Sequence, residues 1–445
     1  MEHPDSLGKD KISALLWKFS LPAIFGMVVN SLYNVIDSIF VGNGVGEIGL
    51  TAVTIAFPIM IVMMAFGMLI GVGSGALISI RLGEQNKEGA ERILGNACIL
   101  VVLIAAFLST TFLLFLDPIL MALGAQENVL PYAREFTRII LLGSIFMYIG
   151  YGLNNIIRAE GNPRTAMATM LIAAMFNTIL NPLFIFVLKL GIAGSALATV
   201  LSQAVSAIWV VCHFFSEKSV LKIHVANLYL RKNIVLGIIK IGLSPFLIQV
   251  CASANTFLFN YSLLQFGGEL AVAAIGIINR VAMLLLMPIF GISQGAQPII
   301  GYNYGAKQYQ RVMEALKKAI LAAVVFSLAG LVVVEVFPAH IVGLFNGNTE
   351  LIAIGSGGLR IMLCMLPVIG FQIISSNYFQ AVGKAGQAIF LNMSKQVLLM
   401  LPLILILPRF FGLKGAWLAG PVADILSSLL TGTFLFWELK KLGKL

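Results

Sequence analysis

Charge is what this sequence has least of. Asp, Glu, Lys and Arg together make up 11% of its 445 residues, against about a quarter in soluble globular domains. That scarcity excludes an ordinary water-exposed surface. Cysteine is scarce as well: Cys98, Cys212, Cys251 and Cys364 lie far apart, mostly inside apolar runs, with no CxxC pair. They read as small buried apolar side chains and exclude a disulfide framework. His3, His213, His224 and His340 are equally scattered, so no metal centre and no bound cofactor is expected. There is no G-x-x-x-x-G-K-[ST], and the longest polar stretch, 216–233, is too short for a domain of about 50 residues. A nucleotide-driven pump is thereby excluded. Gly71, Gly73 and Gly75 match a glycine-rich loop in composition only, because they sit in an apolar run, where small residues let helices approach closely. No cleavable signal peptide is expected, since the charged start MEHPDSLGKDK leads into a long apolar run without a small-residue cleavage site.

Hydrocarbon fills the chain instead. Hydrophobic residues make up 59% of it and the mean hydropathy is +0.97. A spanning helix needs about 20 mostly apolar residues, and twelve runs qualify: 16–41, 51–80, 93–116, 138–157, 165–187 and 192–215, then 234–264, 271–301, 316–337, 351–379, 386–408 and 415–437. An even number of spans puts both termini on one side. Most of the 29 Lys and Arg residues fall on that side, while the opposite loops hold only Arg134, Arg138, Lys189, Arg360, Arg409 and Lys414. The positive-inside bias then places both termini in the cytoplasm of a multi-pass cell (inner) membrane protein. The net charge of +10 is a topology signal, with anionic lipid headgroups as its partner and no nucleic acid.

The chain also repeats itself. A shift of 222 residues lays NIIRAEGN (155–162) over NYFQAVGK (377–384), and Gly73 and Gly83 over Gly295 and Gly305. A shift of 223 lays Pro22 over Pro245, and one of 221 lays LGIAGSALA (190–198) over FGLKGAWLA (411–419). Six spans per copy give both copies the same orientation, so they are related by an axis along the membrane normal. The expected fold is an all-α membrane protein with twelve transmembrane helices in two six-helix lobes, 1–215 and 234–445, joined by a cytoplasmic linker at 216–233. A monomer is expected.

Polar residues inside apolar spans are the functional candidates, because an ionisable group at a helix centre costs about 2.5–3.5 kcal/mol on insertion scales. Asn30, Asn34 and Asp37 share one face of the first span, with Asp37 about 6 Å below its outer end. Asn177 and Asn181 on the fifth span, and Thr199, Gln203 and Ser206 on the sixth, form faces at about 10 Å depth. Asp37 is the only carboxylate among them. Gln203 and Ser206 read equally as glue between helices. The second lobe differs: Asn260 stands where the repeat would place Asp37, and Arg280, Lys395 and Asp424 lie within spans eight, eleven and twelve. For Lys395, an ion pair with Asp424 and a substrate contact are both open. Trp17, Trp417 and Trp437, near span ends, read as interfacial anchors.

In these segments the chain resembles the MATE (multidrug and toxic compound extrusion) family, bacterial multidrug efflux branch. The resemblance is carried by LPAIFGMVVNSLYNVIDSIFVG (21–42), RAEGNP (158–163), NTILNPLFIF (177–186), GIAGSALATVLSQ (191–203) and GISQGAQPIIGYNYGA (291–306). It implies a non-enzymatic, secondary active antiporter that exports varied small organic compounds, often cationic and aromatic, in exchange for protons or sodium ions. Asp37 matches the family's first-helix acid, with sodium or a proton as its ligand. Asn34, Asn177, Asn181 and Thr199 complete that cation-coupling set, and Pro22 matches a proline at which the first helix bends. Asn181 stands where relatives commonly carry a second acid. Candidate linings of the substrate cavity are Asn30, Asn155, Gln203, Arg280 and Lys395. The alternative is a flippase or exporter of lipid-linked or other amphipathic intermediates. A passive channel accounts less well for the two-lobe repeat.

The topology is directly testable. A reporter fused after Leu445, or a cysteine placed near Val225, should report the cytoplasm, while cysteines near Glu47 and Glu269 should react from outside. An external C-terminus would overturn the twelve-span arrangement.

Overall fold

The computed structural model describes residues 5–345 and 347–443, with the backbone alone for Asp5 and Asn34. Among the described residues it is helical throughout, without a strand. That is the outcome hydrocarbon dictates, since only a helix or a closed barrel satisfies every backbone N–H and C=O without water.

Among the described residues, eight helices are long and apolar enough to cross a membrane, and two bent pairs bring the number to ten. Two of the ten are too long for one crossing. Lys232–Gly305 has 74 residues and Ala385–Leu442 has 58, which at 1.5 Å per residue would far exceed a hydrocarbon core of about 30 Å. Each turns once, at Gly268 and Gly412, where φ is +69° and +57°. Twelve spans result. The first is Ile12–Gly44, the second Glu47–Gly83, the third Lys87–Leu114, and the fifth Pro163–Val187. The sixth is Gly191–Phe215 and the ninth Tyr309–Val336. The fourth pairs Leu130–Leu142 with Ser144–Ala159 at 52°, and the tenth pairs Thr349–Leu363 with Leu366–Ala381 at 44°.

The repeat is written into the backbone. Helices start at Lys87 and Tyr309, Leu116 and Pro338, Ser144 and Leu366, and Pro163 and Ala385, each pair 222 residues apart. Left-handed residues recur at the same offset: Gly46 with Gly268, Gln85 with Lys307, and Gly161 with Gly383. Gly161 has φ +108°, outside the usual left-handed well, which is why the RAEGNP turn needs glycine there.

Two compact units form, and they are not the two sequence lobes. One comprises Phe25–Phe246 with the short helix Asp5–Lys9; the other comprises Asp10–Ile24 and the chain from Leu247 onward. The start of each repeat's first helix thus belongs to the unit built by the other repeat. The divisions fall two residues after Pro22 and one after Pro245. In the first unit, 232–246 packs on the second span through glycine. A Cβ on Gly242 would stand 1.8 Å from the Leu69 carbonyl oxygen, and one on Gly73 would stand 2.2 Å from that of Ile238. In the second unit, Cβ atoms on Gly291 and Gly295 would lie 2.9 Å from the Ile24 nitrogen and 2.7 Å from the Ser20 nitrogen.

The linker 216–233 is part of the first unit rather than a free connection. Glu160 of RAEGNP is fully buried. Its carboxylate is hydrogen-bonded to His213 and accepts from Ser219 Oγ at 2.8 Å, Asn162 Nδ2 at 2.9 Å and Leu221 N at 3.2 Å. Glu91 and Asn96 on the third span accept from the backbone N–H groups of Lys222 at 3.2 Å and Arg231 at 2.7 Å. One expectation is corrected here. Trp417 is not an interfacial anchor: it is 2% exposed and packs against Phe259 in the second unit's core, with Gly358 leaving space for its ring. Trp17 and Trp437 are exposed.

Glycine contacts this close make a sharp test. Gly242→Ala should destabilise the protein by about 1–3 kcal/mol through overpacking, read as a lower thermal midpoint in detergent. Gly276→Ala, where a Cβ meets nothing within 4 Å, should leave that midpoint unchanged or slightly raised.

Candidate cation site in the first unit

Asp37 lies about four turns beyond Pro22 on the first span, half-buried. The 30, 33, 37 spacing gives that helix one polar stripe. Across from it, Asn181 ends the regular part of the fifth span. Pro182 follows, then a π-helical turn, Leu183–Val187. Proline supplies no N–H, and the backbone widens there, with Leu188 N donating five residues back to Leu183 O at 2.9 Å. Such π-turns are frequent at functional sites.

The side chains converge as the helix faces require. Asn181, fully buried, donates its amide N–H to Asp37 Oδ1. Asn177, one turn earlier, donates to Thr199 Oγ1 of the sixth span at 3.2 Å. Tyr33, one turn before Asp37, lies beside Thr199, Asp37 and Tyr151, and Tyr151 lies beside Asn30. Ser195, buried one turn before Thr199, faces the Asp37 carboxylate without closing a tight hydrogen bond. The Asn181 side-chain oxygen is likewise buried without a partner. A buried oxygen left this way costs about 1–3 kcal/mol, and two such oxygens belong to the residues that neighbour the carboxylate.

Of the residues singled out from the sequence, the structure brings together Asp37, Asn181, Asn177, Thr199 and Asn30. The side chain of Asn34 lies outside the described residues. Gln203 follows Thr199 by one turn, half-buried. Asn155 is taken up in helix packing. Its amide donates to Tyr151 O at 2.9 Å, and a Cβ on Gly71 would lie 2.8 Å from that amide nitrogen. Arg280 is exposed in the second unit, and Lys395 there is paired with Asp424 at 2.7 Å. Tyr33, Tyr151 and Ser195 were missed. The signal for each was its one-turn spacing from Asp37, Asn155 and Thr199, but aromatic and serine residues in apolar spans read as packing.

Twelve spans in an internal repeat, with a half-buried acid beside amides and hydroxyls, define a polytopic membrane transporter. The MatE family model matches residues 22–183 and 245–406, once on each repeat. The chain belongs to that family. The multidrug export protein MepA of Staphylococcus haemolyticus is 27% identical over 432 residues, covering 97% of this chain and 95% of its own. MepA of Staphylococcus aureus is 26% identical over 427 residues, covering 95% and 93%. A solved outward-facing conformation of a multidrug resistance MATE family transporter of the MOP superfamily superposes with TM-score 0.93 at 26% identity, over 99% of this chain and 98% of that one. A MATE in the bent conformation gives 0.94 at 26% identity, over 99% and 98%.

Thr199 is the node of the cluster, and its hydroxyl is separable from its shape. Thr199→Val should cost about 1–3 kcal/mol by stranding the buried Asn177 amide. Thr199→Ser should retain most of the stability. Thermal midpoints of the two purified variants make the comparison.

Proposed function

We propose that the protein is a secondary active multidrug efflux antiporter of the cell membrane, with both termini cytoplasmic. It exports organic compounds, often cationic and aromatic, in exchange for protons or sodium ions taken up at Asp37. The observation that carries this reading is the pair of buried, unfilled oxygens, Asn181 Oδ1 and Ser195 Oγ, beside the one carboxylate of the cluster. A carboxylate with spare oxygen ligands suits a small hard cation, and protonation would equally relieve the buried charge. Either ligand neutralises Asp37 and alters what it accepts from Asn181. That change reaches the sixth span through Ser195. Tyr33, which touches both Asp37 and Thr199, offers a second route.

Pro22 gives the same helix a place to bend, since it removes one backbone hydrogen bond. MATE structures are described in straight and bent conformations, which supports a protein of this family changing shape. Substrate class follows from kinship: the MepA relatives are named multidrug export proteins, and apolar walls with few fixed polar groups suit varied substrates.

Asp37→Asn is the decisive variant. It should fold and insert normally, because an amide is less costly in hydrocarbon than an acid. It should lose gradient-driven efflux while keeping part of its substrate binding. Proteoliposomes carrying a proton gradient and, separately, a sodium gradient read the result. Wild-type pumping by Asp37→Asn under both gradients would make Asp37 a structural residue.

A further inference from the structure

The second unit holds an ion pair within its spans that the coupling reading does not use. Lys395 lies on the π-helical stretch Ser394–Met400 of the eleventh span. Its ammonium is 2.7 Å from Asp424 Oδ1 on the twelfth span and donates to Gln372 Oε1 on the tenth at 3.0 Å. Asp424 and Gln372 are 5% and 3% exposed. Ser375 and Ser376 follow Gln372 by about one turn, on its side of the tenth span, and both hydroxyls are buried without a partner. A carboxylate, an amide oxygen and spare hydroxyls are a ligand set for a small cation, and the cation present belongs to the chain.

The constellation is specific to one repeat. The 222-residue shift places Ala173 and Gly150 at the positions of Lys395 and Gln372, and the 221-residue shift of the last span places Gln203 at that of Asp424. The acid and the base are thus absent together from the first unit, as expected when neither is tolerable in hydrocarbon alone. The remaining titratable neighbours do not compete for Asp424. Cys364 lies in the field of Asp424 and Glu335, and Glu335 is held by Arg360 at 3.6 Å.

We propose that Asp424 is a cation site permanently filled by a tethered ammonium. Lys395 occupies the position that an exchangeable sodium ion or proton would take, and the second unit therefore binds no exchangeable cation. The tether keeps the ammonium at a high effective concentration that a free ion must outcompete. Removing it leaves a buried carboxylate uncompensated, and the site must then recruit a replacement. This stands on the second unit alone and does not depend on Asp37 being the coupling group.

The test is a count of bound cations on full-length protein purified in detergent. Equilibrium binding of radioactive sodium and proton uptake are measured across the neutral pH range. Asp424→Asn should bind as much sodium as wild type. Lys395→Met should gain one equivalent, as sodium displaceable by acid or as a proton, and Lys395→Met/Asp424→Asn should lose it again. A loss of one sodium equivalent in Asp424→Asn would show that the acid is already exchangeable and overturn the proposal. So would a folded Lys395→Met that gains neither ion, the result a plain structural strut requires. If Lys395→Met does not fold, the Asp424→Asn comparison still decides.

Discussion

Hydrocarbon cannot solvate a polar group, and that single constraint organises this molecule from its backbone to its sites. It forces the chain into helices, whose peptide groups are satisfied internally. It confines non-helical backbone to short turns, and these recur at one offset in both repeats, as Gly46 with Gly268 and Gly161 with Gly383 show. It also removes the hydrophobic drive for helices to associate, leaving close packing to do so. Hence Gly73 and Gly242 meet backbone carbonyls where any Cβ would collide.

The same constraint explains why the two units treat buried charge differently. The first unit keeps a carboxylate whose partners are neutral: the Asn181 amide and the nearby Ser195 and Tyr33 hydroxyls. Such a group remains responsive, because its charge is only partly answered. The second unit answers Asp424 with Lys395 and Gln372, which closes the account locally. Away from the spans, the chain can hold charge more freely: Glu160 gathers four hydrogen bonds and fastens the linker to the first unit. The two repeats thus differ: one acid has neutral partners alone, and the other is paired with a base.

Much of this was legible in the sequence, for identifiable reasons. Spans, repeat and polar stripe follow from hydropathy and from the three-and-four spacing, so Asp37, Asn177, Asn181 and Thr199 could be gathered before any coordinates. Other features leave no such trace. Tyr33 and Tyr151 are counted with the hydrophobic residues in the composition, although their hydroxyls lie in the cluster. The bend of the fourth span falls at Gly143 without a proline to announce it, whereas that of the tenth, at Cys364–Met365, is followed by Pro367. Periodicity says which face of a helix is buried but not which neighbour buries it. The passage of 10–24 and 232–246 into the unit of the other repeat was therefore invisible, and Trp417 was misread from its nearness to a span end.

The proposed exchange of one cation per turnover also bounds the energetics of the cycle. One exchangeable cation moving inward per turnover gains about 2.3 kcal/mol for each 100 mV of membrane potential. Each ~1.4 kcal/mol is a factor of ten in concentration, so a potential of about 150 mV would sustain a roughly 300-fold gradient of a neutral substrate. A singly charged cationic substrate leaving for one cation entering moves no net charge. The potential then contributes nothing, and only the concentration gradient of the coupling ion drives export. Under the proposed one-cation exchange, neutral and cationic substrates should therefore differ in how steeply their export depends on voltage.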